Sequence, residues 1–109
     1  MSKAIKFEYE GQQYELTFTK KTVKELEQAG FSPRKIEDMP MTMIPLLFLG
    51  AFRAKHPFVK KEVVDAIYKL MPDKQGLVEA LGELYDDPHE DLIAEPEDSE
   101  KKVEWKMES

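Results

Sequence analysis

The chain contains no cysteine, which removes disulfides, thiolate metal sites and cysteine nucleophiles together and fits a reducing compartment. Glycine is scarce, and Gly11, Gly30, Gly50, Gly76 and Gly82 are too scattered to build a phosphate-cradling loop. Of the four serines, Ser2, Ser99 and Ser109 lie near the ends and Ser32 is explained as a helix cap, so no serine nucleophile stands out. Only two histidines occur, His56 before Pro57 and His89 after Pro88, far apart and without a neighbouring metal-ligand pattern. Long apolar runs are missing as well. The densest segment, Met39 to Lys55, holds ten apolar residues before Arg53 and is interrupted by Pro45, whereas a bilayer span needs about twenty. Met1 to Lys6 lead straight into an alternating pattern rather than an apolar leader, so the expected location is cytoplasmic.

A surplus of positive charge is also lacking. The net charge is −6 over 109 residues. Residues 86–109 carry ten acids and three lysines (−7), against twelve acids and thirteen bases (+1) in residues 1–85. The acidity therefore belongs to the C-terminal end, and the remainder lacks the basic excess that drives most nucleic-acid binding through counterion release. At this length the chain makes one modest core and leaves little room for a deep catalytic cleft.

What is present reads as a hairpin followed by helices. Ile5, Phe7 and Tyr9 alternate with Lys6 and Glu8, and Tyr14, Leu16 and Phe18 alternate with Glu15 and Thr17. A two-residue loop at Glu10-Gly11 predicts Phe7 opposite Tyr14 and Ile5 opposite Leu16, both on one face. Thr19 or Thr22 can cap the next helix, in which Val23, Leu26 and Ala29 face inward and Gly30 is the stop. Ser32-Pro33 opens a short turn with Ile36 and Met39 inward. The central segment is expected to be a helix over 42–56, capped by Thr42, with Pro45 in its first turn. Its core face is Ile44, Leu47, Phe48, Ala51 and Phe52; Leu46, Leu49 and Arg53 fall on the opposite side. Further helices are expected from about Lys60 to Met71, inward at Val59, Val63, Ile67 and Leu70, and after Pro72-Asp73, inward at Leu77, Ala80, Leu81, Leu84 and Tyr85. Asp87-Pro88-His89-Glu90 has the chemistry of a fresh helix start, placing Leu92 and Ile93 on a last short helix. Beyond Ala94 the composition is too polar to order itself. Val103, Trp105 and Met107 then alternate with charged residues as in a strand.

Each candidate site has a plainer alternative. Asp86, Asp87, Glu90 and Asp91 lack the glycine and ligand order of a calcium loop, and helix-capping acids are the favoured reading. Lys20, Lys21, Lys24, Arg34 and Lys35, like Arg53, Lys55, Lys60 and Lys61, are interleaved with acids, as on a solvated mixed-charge face. Leu46 and Leu49 are either buried within the chain or part of a subunit interface. Trp105 is either part of a disordered end or, with Val103 to Met107, a strand or anchor for a partner.

Several stretches together resemble a known family: Tyr14 to Lys24, Pro40 to Pro45, Gly50-Ala51-Phe52, Lys60 to Asp65, and the Val103-Glu104-Trp105 ending. The chain resembles the small tail assembly chaperones of long-tailed, siphovirus-type bacteriophages of Gram-positive hosts. The resemblance implies a non-enzymatic protein of the host cytoplasm, absent from the mature virion. Such a protein coats the tape measure protein and keeps it soluble until tail tube subunits polymerise around it. It further implies self-association into a homo-oligomer and a longer frameshifted form that recruits tail tube protein. No metal or cofactor is implied.

The expected fold is α+β and mostly α: an N-terminal β-hairpin and four to five packed helices over residues 1–94, with a disordered acidic tail over 95–109. The expected contact residues are Leu46, Leu49, Arg53, Val103 and Trp105. Competing functions are an acidic inhibitor or DNA mimic, motivated by the acidic end, and a small nucleic-acid-binding regulator, motivated by the lysines.

Overall fold

A computed structural model describes residues 3–94 and 102–108, apart from the side chains of Asp91 and Ile93. Strand β1 (Ile5–Tyr9) and strand β2 (Gln12–Leu16) form an antiparallel hairpin, followed by α1 (Lys20–Gln28), a 3₁₀ turn (Pro33–Lys35), α2 (Pro40–Phe52), α3 (Lys61–Leu70) and α4 (Lys74–Ile93). The α+β, helix-dominated expectation holds, with four α-helices among the described residues.

The hairpin has the expected register, Ile5 opposite Leu16 and Phe7 opposite Tyr14. Glu10 and Gly11 both take positive φ, 50° and 81°, the backbone of a type I′ turn whose twist matches that of the strands. Tyr14 and Leu16 are buried, whereas Ile5, Phe7 and Tyr9 are only half-buried. The ribbon thus packs chiefly through β2.

Thr19 caps α1 and Thr22 reciprocates: the Thr22 N–H donates to Thr19 Oγ1 at 3.2 Å and the Thr19 N–H to Thr22 Oγ1 at 2.8 Å. Of the two threonines offered as caps, Thr19 is the cap and Thr22, three residues on, closes the capping box. At the other end Gly30, at φ +100°, makes a Schellman motif, with the Phe31 N–H on the Leu26 carbonyl and the Gly30 N–H on that of Glu27. This reversal sends Phe31 into the core, edge-on to Tyr85 at 5.0 Å. Ala29, expected inward, is exposed.

The central helix starts earlier and ends sooner than the expected 42–56. Pro40 occupies its first position, where a fixed φ is pre-organised and the missing N–H costs nothing, so Met39 rather than Thr42 is the N-cap. Pro45 then lies inside the helix and deprives the Met41 carbonyl of its usual donor. Packing outweighs that loss: Met43, Leu47, Phe48, Ala51 and Phe52 are all buried, and α2 touches α1, α3, α4 and β2. Ile44, expected in the core, is half-exposed and yields its place to Met43, and Met39 is exposed. Gly50 has a steric reason, since a Cβ there would lie 2.9 Å from Leu26 Cδ1 and 3.4 Å from Phe18 Cε1.

Helix α3 buries Val64 and Ile67 and sets Tyr68 against Phe48 at 5.2 Å; Leu70, expected inward, is exposed at the helix end. Helix α4 is capped by Asp73, whose carboxylate accepts the Gly76 N–H at 3.2 Å, and buries Leu81, Leu84 and Tyr85. It runs through Pro88 without a break, so the expected fresh start at Asp87 is corrected. The proline ring is buried, and His89 Nδ1 lies 2.9 Å from the Tyr85 carbonyl, giving that turn a side-chain hydrogen bond.

Of the tail expected to be disordered, residues 95–101 lie outside the described part. Residues 102–108 are exposed, without regular secondary structure, so the strand expected from their alternation is not formed in the isolated chain.

Candidate interaction surfaces

Three places on the surface combine apolar side chains with polar rims. Leu46, Leu49 and Arg53 come together one turn apart along α2 and line a shallow groove with Thr22, Glu25, Leu26 and Ala29 of the α1 region. Leu46 and Leu49 are half-buried against their own core, so intrachain packing accounts for part of their apolar surface and leaves the rest on the groove wall. The Arg53 guanidinium is turned along the helix end, where Nη1 donates to the Pro57 carbonyl at 2.8 Å.

The second place is the α2–α3 connection. Phe58 is 94% exposed beside a cleft of about 410 Å³ whose walls include Tyr14, His56, Pro57 and Val63. His56 Nε2 accepts the Glu15 N–H at 3.0 Å, so the neutral ring carries its proton on Nδ1. The ring packs on Tyr14 at 5.0 Å, and the Thr17 N–H donates to the Ala51 carbonyl at 3.0 Å. Together these bonds clasp the outer edge of β2 to the C-terminal end of α2. The role of His56 is invisible in the sequence, because its partner is forty-one positions away, beyond any local signal.

The third is a cleft of about 280 Å³ between α1 and the last turns of α4, lined by Lys20, Val23, Lys24, Glu27, Pro88, His89 and Leu92. His89 Nε2 stands 3.9 Å from Glu27 Oε1 across it. Nearby, burial pushes the Tyr85 phenol up to about 12, with the Glu27 and Asp86 carboxylates adding to the shift.

The remaining candidates separate. Among the described residues no three His, Cys, Asp or Glu side chains converge as a metal site. Glu15 sits between Lys6 and Lys55, at 4.0 and 3.9 Å, which makes that part of the surface a mixed-charge face. No helix among the described residues is long and apolar enough to cross a membrane. Val103 and Trp105 are exposed on the C-terminal segment and are not joined to the groove that holds Leu46, Leu49 and Arg53.

The whole length, residues 1–109, matches the domain of unknown function DUF5055. The chain belongs to that family. No curated protein and no solved structure matches it. The main physical feature of this DUF5055 chain is the apolar material left outside a well-satisfied interior. Among the described residues no buried side-chain N or O atom lacks a hydrogen-bond partner, yet Met41 and Phe58 stand almost wholly in solvent. The exposed methionines and the late apolar residues carry no local signal in the sequence beyond their hydrophobicity; only the packing reveals that they are left over.

Proposed function

We infer that the chain is a non-catalytic assembly chaperone of a long-tailed bacteriophage, binding the tape measure protein and keeping it soluble before the tail tube polymerises. The observation that carries this reading is the distribution of apolar side chains around a filled core: the Leu46–Leu49–Arg53 groove, the Phe58 cleft and the exposed Met41. A long amphipathic helical client offers apolar residues at repeated helical spacing, and shallow grooves between helices suit that geometry. Many weak contacts along such a client give avidity without any single strong site. The resemblance of Tyr14 to Lys24, Pro40 to Pro45 and Lys60 to Asp65 to tail assembly chaperones supplies the identity of the client.

In this reading the protein acts in the host cytoplasm, self-associates into a sheath and leaves before the virion is complete. A frameshifted longer product would bring tail tube protein to it. The acidic end keeps the loaded assembly soluble. Co-expression with a tape measure protein tests the proposal. The expected result is that the client moves from the insoluble to the soluble fraction and co-purifies with this chain. A client that stays insoluble, or is soluble but elutes alone, overturns it.

A further inference from the structure

The hairpin has one closed edge and one open edge. Because the turn is two residues long, Tyr9 and Gln12 form the hydrogen-bonded pair next to it, and so in turn do Phe7 with Tyr14 and Ile5 with Leu16. The alternate residues therefore aim their N–H and C=O groups away from the ladder. On β2 these outward groups are used, since Glu15 donates to His56 and Thr17 to Ala51. On β1 the outward residues are Lys6 and Glu8, and no backbone hydrogen bond is made to either from another element among the described residues. The margin beside β1 is also apolar and unfinished, because Ile5 and Phe7 are half-buried where their partners on β2, Leu16 and Tyr14, are buried, and Tyr9 is half-buried beside an exposed Gln12.

The chain carries a segment that matches this edge. Val103, Trp105 and Met107 are 89%, 84% and 89% exposed, and they alternate with Glu104 and Lys106, as Ile5, Phe7 and Tyr9 alternate with Lys6 and Glu8. We propose that Val103–Met107 of a second copy adds to β1 as a third, parallel strand, with Val103, Trp105 and Met107 beside Ile5, Phe7 and Tyr9. In that register the Lys6 N–H donates to the Val103 carbonyl and the Glu8 N–H to the Trp105 carbonyl, while the Trp105 and Met107 N–H groups donate back to Lys6 and Glu8. Glu104 falls beside Lys6 and Lys106 beside Glu8, two opposite-charge pairs on the wet face. Antiparallel pairing with Trp105 beside Phe7 would instead put Glu104 against Glu8 and Lys106 against Lys6. Shifting that antiparallel pairing to cure the charges sets Met107 against Lys3 and loses an apolar match. The charge pattern thus selects one direction and one register, while the indole covers the open margin. A copy that lends its segment keeps its own β1 edge free, so the contact is head-to-tail and repeats. The pairing does not depend on the identity of any client.

The test uses the full chain, with mass measured by light scattering across a concentration series and Trp105 emission followed in the same samples. The wild type is expected to grow beyond one chain with concentration while the indole emission shifts to the blue. Glu8→Pro removes an outward N–H without touching the ladder and should leave a monomer. The double change Lys6→Glu with Glu8→Lys should weaken association roughly tenfold or more by making both charge pairs repulsive. Adding Glu104→Lys with Lys106→Glu to that variant should restore association, an outcome no folding defect can mimic. A wild type that stays monomeric at high concentration overturns the proposal. So does restored charge pairing without restored mass. A monomer whose Trp105 and Met107 amides are protected from exchange overturns the second copy as donor, because the segment would then be closing on its own hairpin.

Discussion

His56→Phe isolates the clasp between the hairpin and the central helix. The substitution keeps an aromatic ring against Tyr14, now 5.0 Å from the imidazole, and removes only the acceptor that takes the Glu15 N–H at 3.0 Å. The Thr17 to Ala51 bond, also 3.0 Å, survives, so the edge should loosen rather than detach. An N–H left without a partner when fully buried costs about 1–3 kcal/mol, and the half-buried position of His56 lets water recover part of it, which leaves about 1–2 kcal/mol. For a domain of this size each kcal/mol moves the melting temperature by about 4–8 °C. The variant should therefore melt at least about 4 °C lower, with far-UV circular dichroism unchanged at low temperature. Amide exchange gives the residue-level check, since Glu15 should lose protection while Leu16 keeps it. A melting temperature and a Glu15 exchange rate equal to the wild type would refute the clasp.

Gly50→Val should destabilise by about 1–3 kcal/mol in urea unfolding, because even its Cβ would meet Leu26 Cδ1 at 2.9 Å in a buried position, and the two further methyls force the Leu26 and Phe18 side chains to shift. Tyr85 sets an alkaline limit: its folded-state value of about 12 lies above the unfolded value of 10.0, so the stabilisation is complete below pH 10. It is lost as pH rises towards 12, and Tyr85→Phe should flatten the fall in melting temperature over that interval. Leu49→Asp should lower recovery of a tape measure client in co-purification while keeping helical circular dichroism, since Leu49 is half-buried on the groove wall rather than sealed in the core. Equal recovery would remove the groove from the client surface.

The hairpin was legible to the residue because its determinants are local: strict alternation, a Glu-Gly pair that accepts positive φ, and a loop length that leaves one register. The capping of α1 was legible only to a choice between Thr19 and Thr22, and the structure uses both, Thr19 as the cap and Thr22 as its reciprocal partner. The two internal prolines misled in the same way. Pro45 and Pro88 both carry the chemistry of a helix start, and both sit inside helices because buried packing around Leu47, Phe48, Leu84 and Tyr85 outweighs one missing hydrogen bond. Periodicity placed the apolar stripes correctly and misjudged their margins: Ile44 and Leu70 belong to the right helices and Ala29 caps the end of α1, yet which marginal residue is covered depends on the crossing of neighbouring helices. Leu46, Leu49 and Arg53 were grouped by helical spacing and do share a groove, while the His56 clasp and the open edge of β1 arise from contacts distant in sequence. Those two features decide which face of the hairpin is available.

The multivalent sheath is tested most directly by native mass spectrometry of this chain bound to tape measure fragments of increasing length. The expected result is a number of bound copies that rises in proportion to fragment length, with short fragments bound weakly. One fixed copy number at every length, or no complex with any fragment, would contradict it.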